Sequence, residues 1–243
     1  VLTMRSVRAW LIDLVLRLVR RTGWSDRFEI ALADRAQLLD GLRRFRRGDK
    51  TVPPPRLAKG RHHVTEEVAG APLQILQRNA APAGRVVLYL HGGGYMIGPG
   101  GPHWSSATEL ADGGGADVAM LIYPKTPEHD HRAIIDAAVA AYRLLDERYG
   151  ADNIVVAGDS AGGGLTAILL TQLRVRGIDQ PHAAILISPW LDLSMSDPAA
   201  AAQAESDLML TIEGARLAGT YFAADVDPTD ALGSPLHAAT GDL

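Results

Sequence analysis

The stretch Ile154-Val155-Val156-Ala157-Gly158-Asp159-Ser160-Ala161-Gly162-Gly163 decides the reading of this chain. Four apolar residues run into a serine with glycine two positions to either side, and an apolar helical pattern follows over residues 161–176. A serine on a sharp strand-to-helix turn has a strained backbone packed close to its neighbours, so those neighbours must be small. The helix N-terminus adds fixed positive potential beside such a serine. In 243 residues with 25 Gly and 10 Ser, G-x-S-x-G arises by chance about 0.1 times, so the strand and the helix around it carry the argument.

Outward from the serine, the next informative turn lies 69 residues upstream, where His91-Gly92-Gly93-Gly94-Tyr95 follows the short apolar run 86–90. Three glycines at a strand exit permit backbone conformations that side chains forbid, so main-chain N–H groups can converge on a ligand oxygen. A plain flexible turn is the alternative, because Gly113-Gly114-Gly115 has the same composition and no chemistry around it. Period and run length place strands at 62–68, 72–77, 86–90, 118–123, 154–157 and 184–187, and helices at 103–112, 132–149 and 161–176. This alternation predicts an α/β fold with a mainly parallel central sheet.

Composition narrows the function classes. An apolar fraction of 47% suits one globular domain, and the absence of cysteine excludes disulfides, thiolate metal sites and cysteine nucleophiles. A net charge of −4 gives no reason to expect nucleic acid as a partner. The charge is uneven, with +9 on residues 1–63 and −13 on the rest. Residues 7–19 place Val7, Leu11, Leu14, Val15 and Leu18 on one helical face and Asp13, Arg17, Arg20 and Arg21 on another. This amphipathic helix packs on the body of the protein or, through its basic face, lies on a membrane surface. A second helix is expected over 26–47, ended by the proline-rich linker 51–55.

The two glycine turns, together with Tyr123-Pro124, Pro127-Glu128-His129 and Ser188-Pro189-Trp190-Leu191-Asp192-Leu193, resemble the hormone-sensitive-lipase family of α/β-hydrolase esterases and lipases. Ser234-Pro235-Leu236 continues the family's order of landmarks, and the likeness covers roughly residues 60–243. The resemblance implies the α/β-hydrolase fold with a helical cap, drawn from residues 1–55 and from about 194–221, over a core of 56–243. It implies hydrolysis of small-molecule or lipid carboxylic esters, with no cofactor. Ser160 would be the nucleophile, and Gly93, Gly94 and Ala161 would donate oxyanion-hole N–H groups. His91 and Gly92 would support that turn. Tyr95 either lines the pocket or packs in the core, and Asp159 has a structural role.

The other two triad members are harder to place. In this fold the order is serine, acid, histidine, and only His182 and His237 follow Ser160. His182 precedes the strand at 184–187, at the wrong end for catalysis. The family's acid and histidine follow its seventh and eighth strands, which the resemblance places beyond Leu243. The order Ser160, Asp192, His237 is formally allowed, although Asp192 is equally explained as part of the Trp190-Leu191-Asp192-Leu193 landmark. Two function classes therefore stand: a serine esterase or lipase, and a non-catalytic α/β-hydrolase fragment serving as a binding module. An exposed sixth strand would favour self-association. Glu128-His129-Asp130-His131 belongs to a family landmark rather than a metal site, His62-His63 reads as a solvated pair, and the cytoplasm is the expected location.

Overall fold

The computed structural model describes residues 34–204 and 206–238, so the helix expected over 7–19 lies outside the described residues. The first described helix, α1 (Arg35–Phe45), starts at Asp34, whose carboxylate accepts the N–H groups of Ala36 and Gln37. Its buried residues, Leu38 and Leu42, are four apart and share one face. The proline run continues into a short helix, α2 (Pro55–Ala58), with proline at its first turn, where a missing N–H costs nothing.

The sheet carries strands β1 (His62–Val68), β2 (Ala71–Gln77), β3 (Val86–Leu90), β4 (Asp117–Leu121), β5 (Ile154–Asp159) and β6 (Ala183–Ile187), in the spatial order β1-β2-β4-β3-β5-β6. β1, β2 and β4 pair antiparallel, while β4, β3, β5 and β6 run parallel. Between them lie α3 (Gly101–Gly113), α4 (His131–Tyr149) and α5 (Ala161–Val175). The strands and helices expected between residues 62 and 187 are present with ends moved by one or two residues, whereas the helix expected over 26–47 is described only as Arg35–Phe45. β4 starts at Asp117 and stops at Leu121, because the chain leaves the ladder before Tyr123.

Alternate residues serve opposite faces. Val86, Leu88 and Leu90 of β3 pack in one core with Ile134, Ile135 and Tyr142 of α4 and Leu165, Ile168 and Leu169 of α5. Val87 and Tyr89 face the other way, onto Trp104, Ala107 and Ala111 of α3. This period of two buries a parallel strand completely, and every residue of β3 is buried. β6 differs: Ile185, Leu186 and Ile187 are each more than a third exposed.

Two further helices, α6 (Pro198–Gln203) and α7 (Ile212–Ala223), follow β6. α7 begins at Thr211, whose hydroxyl accepts the Gly214 N–H. Leu38 and Leu42 of α1, Met96 after the glycine turn and Ala218 of α7 form a small separate cluster. The segments before β1 and after β6 thus meet above the carboxyl ends of the parallel strands, where α/β proteins place their sites.

Candidate active site around Ser160

Ser160 joins β5 to α5 with φ +52° and ψ −121°, a conformation that costs a non-glycine residue energy. The turn is held on both sides. The Ser160 N–H donates to the Ile187 carbonyl at 3.0 Å, and its own carbonyl accepts the N–H groups of Gly164 at 3.0 Å and Trp190 at 2.9 Å. The glycines are required by contact as well as by conformation. A Cβ at Gly162 would overlap the carbonyls of Leu90 and His91, and one at Gly158 would overlap the backbone of Gly162. α5 therefore starts against the end of β3, and Ser160 comes to lie beside the glycine turn.

That turn reverses in the left-handed region, with φ +118° at Gly93, +60° at Gly94 and +60° at Tyr95. The Gly93 carbonyl accepts the N–H groups of Met96 and Ile97, each at 3.0 Å, which closes the turn. The N–H groups of Gly93, Gly94 and Ala161 donate to no described residue, and Ala161 opens α5, where first-turn donors have no helical partner. Ser160 and Gly94 line one cavity of about 370 Å³. Its far wall is mostly apolar, with Trp190, Met195, Met209, Leu210, Ile212 and Ala215.

Three groups fix the turn from behind. His91 is fully buried, its Nδ1 lies 2.7 Å from the Gly92 carbonyl, and its ring stacks on Tyr123 with centroids 4.1 Å apart. The Tyr123 hydroxyl donates to the His91 carbonyl at 2.6 Å. Burial pulls the His91 imidazole down to a pKa of about 3, so it stays neutral. Asp159 accepts the Gly92 N–H at 3.0 Å and the Tyr89 hydroxyl at 2.9 Å, linking the end of β5 to the glycine turn. Partial burial raises the Asp159 carboxyl, but the bonds from His103, Tyr89 and Gly92 outweigh it and hold the group below the ordinary carboxylate value. Tyr95 is fully buried and stacks on Phe222 at 4.0 Å, which gives it to the core rather than the pocket.

Asp192 and His237 are brought together, with Nε2 and Oδ1 3.2 Å apart. Neither lines the cavity shared by Ser160 and Gly94. The Asp192 carboxylate is occupied by the N–H and hydroxyl groups of Ser194 and Ser196, at 2.5 to 3.0 Å. Burial raises this carboxyl, and those bonds together with His237 overcome it and drive the group far below the ordinary range. Such a carboxylate organises the loop after β6. Glu128 and Asp130 are likewise engaged, Glu128 by Arg46 at 2.7 Å and Asp130 by Arg132 at 2.8 Å and by the first turn of α4. His103 and Tyr89 are supporting residues that period and motif did not single out, and Tyr123 was named only as part of the Tyr123-Pro124 landmark. Position 103 had one signal, a side chain able to reach back to the helix start from the third position.

The alpha/beta hydrolase fold family matches residues 87–243. An acetyl-hydrolase of Streptomyces hygroscopicus is 36% identical over 197 residues, covering 81% of this chain and 62% of the relative. An ethyl acetate hydrolase of Pseudomonas putida is 35% identical over 128 residues, covering 50% and 40%. Among solved structures, an esterase of the bacterial hormone-sensitive lipase family is 34% identical, with a TM-score of 0.67 over 73% of this chain and 60% of that one. The hormone-sensitive-lipase homologue EstE7, from a metagenome library, is 28% identical, with a TM-score of 0.70 over 89% and 73%. The chain thus spans under two thirds of the length of both curated relatives. The matched region holds both glycine turns and the parallel strands that position them, and on that match the chain belongs to the α/β-hydrolase family, among its hormone-sensitive-lipase-like members.

Proposed function

We propose that this chain is a carboxylic ester hydrolase that works through an acyl-enzyme on Ser160. The observation that carries the reading is the shared cavity of Ser160 and Gly94, with the unsatisfied N–H groups of the glycine turn and of Ala161 beside a strained serine. The Ser160 hydroxyl attacks the ester carbonyl, and the new oxyanion accepts N–H groups from Gly93, Gly94 and Ala161. Each such donor is worth about 3 kcal/mol of barrier in water-excluded sites. Collapse of the tetrahedral species expels the alcohol, and water then releases the acid from the serine. The hydroxyl proton must pass to a base, and no imidazole is among the described residues lining the cavity.

The apolar wall favours an uncharged acyl or alkyl group, in a small-molecule or lipid ester. Residues 34–55 and 194–221 are read as the cap over this cavity. The acetyl-hydrolase and ethyl acetate hydrolase relatives support the ester-hydrolase reading. Among the described residues no helix is long and apolar enough to cross a membrane. Contact of the basic N-terminal segment with a membrane surface belongs to the same proposal.

The reading is tested by rates with short-chain para-nitrophenyl esters. Ser160→Ala should lower turnover toward the uncatalysed rate. Turnover equal in wild type and Ser160→Ala would refute it.

A further inference from the structure

Asp159 has two oxygens, and the glycine turn uses only one. Oδ1 takes the Gly92 N–H and the Tyr89 hydroxyl. Oδ2 faces His103, on the first turn of α3, with Nε2 at 3.4 Å. The other ring nitrogen of His103, Nδ1, accepts the N–H of Gly100 at 2.8 Å. An accepting Nδ1 carries no proton, so the neutral ring bears its hydrogen on Nε2 and presents it to Asp159. One side chain thus closes the start of α3 and holds the carboxylate beside the nucleophile.

We propose that His103 is a positioning residue that acts through Asp159 to hold the glycine turn against the serine elbow. The proposal rests on the ester-hydrolase reading of Ser160. Gly92 is clamped at both ends of its backbone, its N–H by Asp159 and its carbonyl by His91, and Gly93 follows it directly. His103 meets both clamps, since its ring also lies edge-on to His91 with centroids 6.0 Å apart. The fit is close enough that a Cβ on Gly92 would collide with Asp159 Oδ2. Without the imidazole, Oδ2 loses its partner and the carboxylate is free to rotate about its own bond. The Gly92 bond then loosens, and with it the aim of the neighbouring oxyanion donors. Misplacement of such a group by about 1 Å costs roughly 100-fold in rate.

Two conservative variants separate this role from simple capping of α3. In His103→Asn the amide oxygen falls near Nδ1, which keeps the Gly100 bond and loses Asp159. In His103→Gln the amide nitrogen falls near Nε2, which keeps Asp159 and loses the Gly100 bond. The expected result is a drop of about 10- to 100-fold in kcat for His103→Asn, with KM within about two-fold and Tm preserved, and near wild-type kcat for His103→Gln. A readout independent of turnover is the Gly92 amide in proton–nitrogen correlation spectra, which should move in His103→Asn and stay in place in His103→Gln. If wild type shows no turnover but the Gly92 amide behaves in this way, the clamp stands and the ester-hydrolase reading falls. The proposal is overturned if the Gly92 amide is unmoved in His103→Asn, or if both variants move it equally.

Discussion

His91 is a neutral imidazole, buried where the cost of desolvating a charged ring outweighs the contacts that would stabilise it. Burial is the main cause of its lowered pKa, with Lys125 acting in the same direction, while the Gly92 carbonyl and Asp159 oppose them. In the unfolded chain the ring takes up a proton below its ordinary pKa of about 6.5, whereas the folded state resists protonation down to about 3. The unfolded state therefore binds more protons in that window. The stability that His91 contributes is fully present above pH 6.5 and is lost as pH falls toward 3. Denaturant midpoints between pH 7.5 and 4.5 should fall for wild type, and less steeply for His91→Gln. Equal slopes would contradict the assignment. The same scale separates the two roles open to His237. If it only holds Asp192 and the loop after β6, His237→Ala should change ester turnover by less than about 10-fold, with a Tm lower by a few degrees. A loss of about 10³-fold with Tm unchanged would instead make His237 the base.

At the scale of elements, the β5–Ser160–α5 unit is rigid because its glycines leave no room for anything else. Gly162→Ala should push α5 away from the end of β3 and cost about 3 kcal/mol or more, read as a lower urea midpoint with near-native m. A midpoint within experimental error of wild type would contradict the packing described. This unit was legible in the sequence, because a strained turn needs small residues at fixed offsets and apolar strands need unbroken runs. α6 and α7 were expected only as one undivided stretch of helical cap over about 194–221. α7 carries Gly214 and Gly219, and its helix depends on tertiary contact: Gly219 packs against Leu193, and Phe222 is buried against Tyr95. His103 escaped notice for a similar reason, since its meaning depends on Asp159, 56 residues away in sequence.

At the scale of the whole molecule, the sheet is buried on both faces through β3 and β4 but not at β6. Ile185, Leu186 and Ile187, exposed at 38%, 36% and 39%, form an apolar strand that among the described residues pairs only with β5. Such an edge is a template for association. Light scattering of the 243-residue chain should show mass rising with concentration, and Ile185→Lys should suppress the rise. A wild-type mass that stays at one chain across the concentration range would contradict this. The alternation of strand and helix showed the layered architecture in advance, because period follows from burial on one or two faces. The exposure of β6 could be expected only through the family resemblance, since its sequence has the apolar run of a fully covered strand. The most direct test of the account is intact-mass analysis of the chain quenched in acid after mixing with para-nitrophenyl butyrate. A single butyryl adduct mapping to Ser160, absent from Ser160→Ala, is the predicted result; a folded wild-type chain that acquires no adduct, or a Ser160→Ala chain that acquires it equally fast, would contradict it.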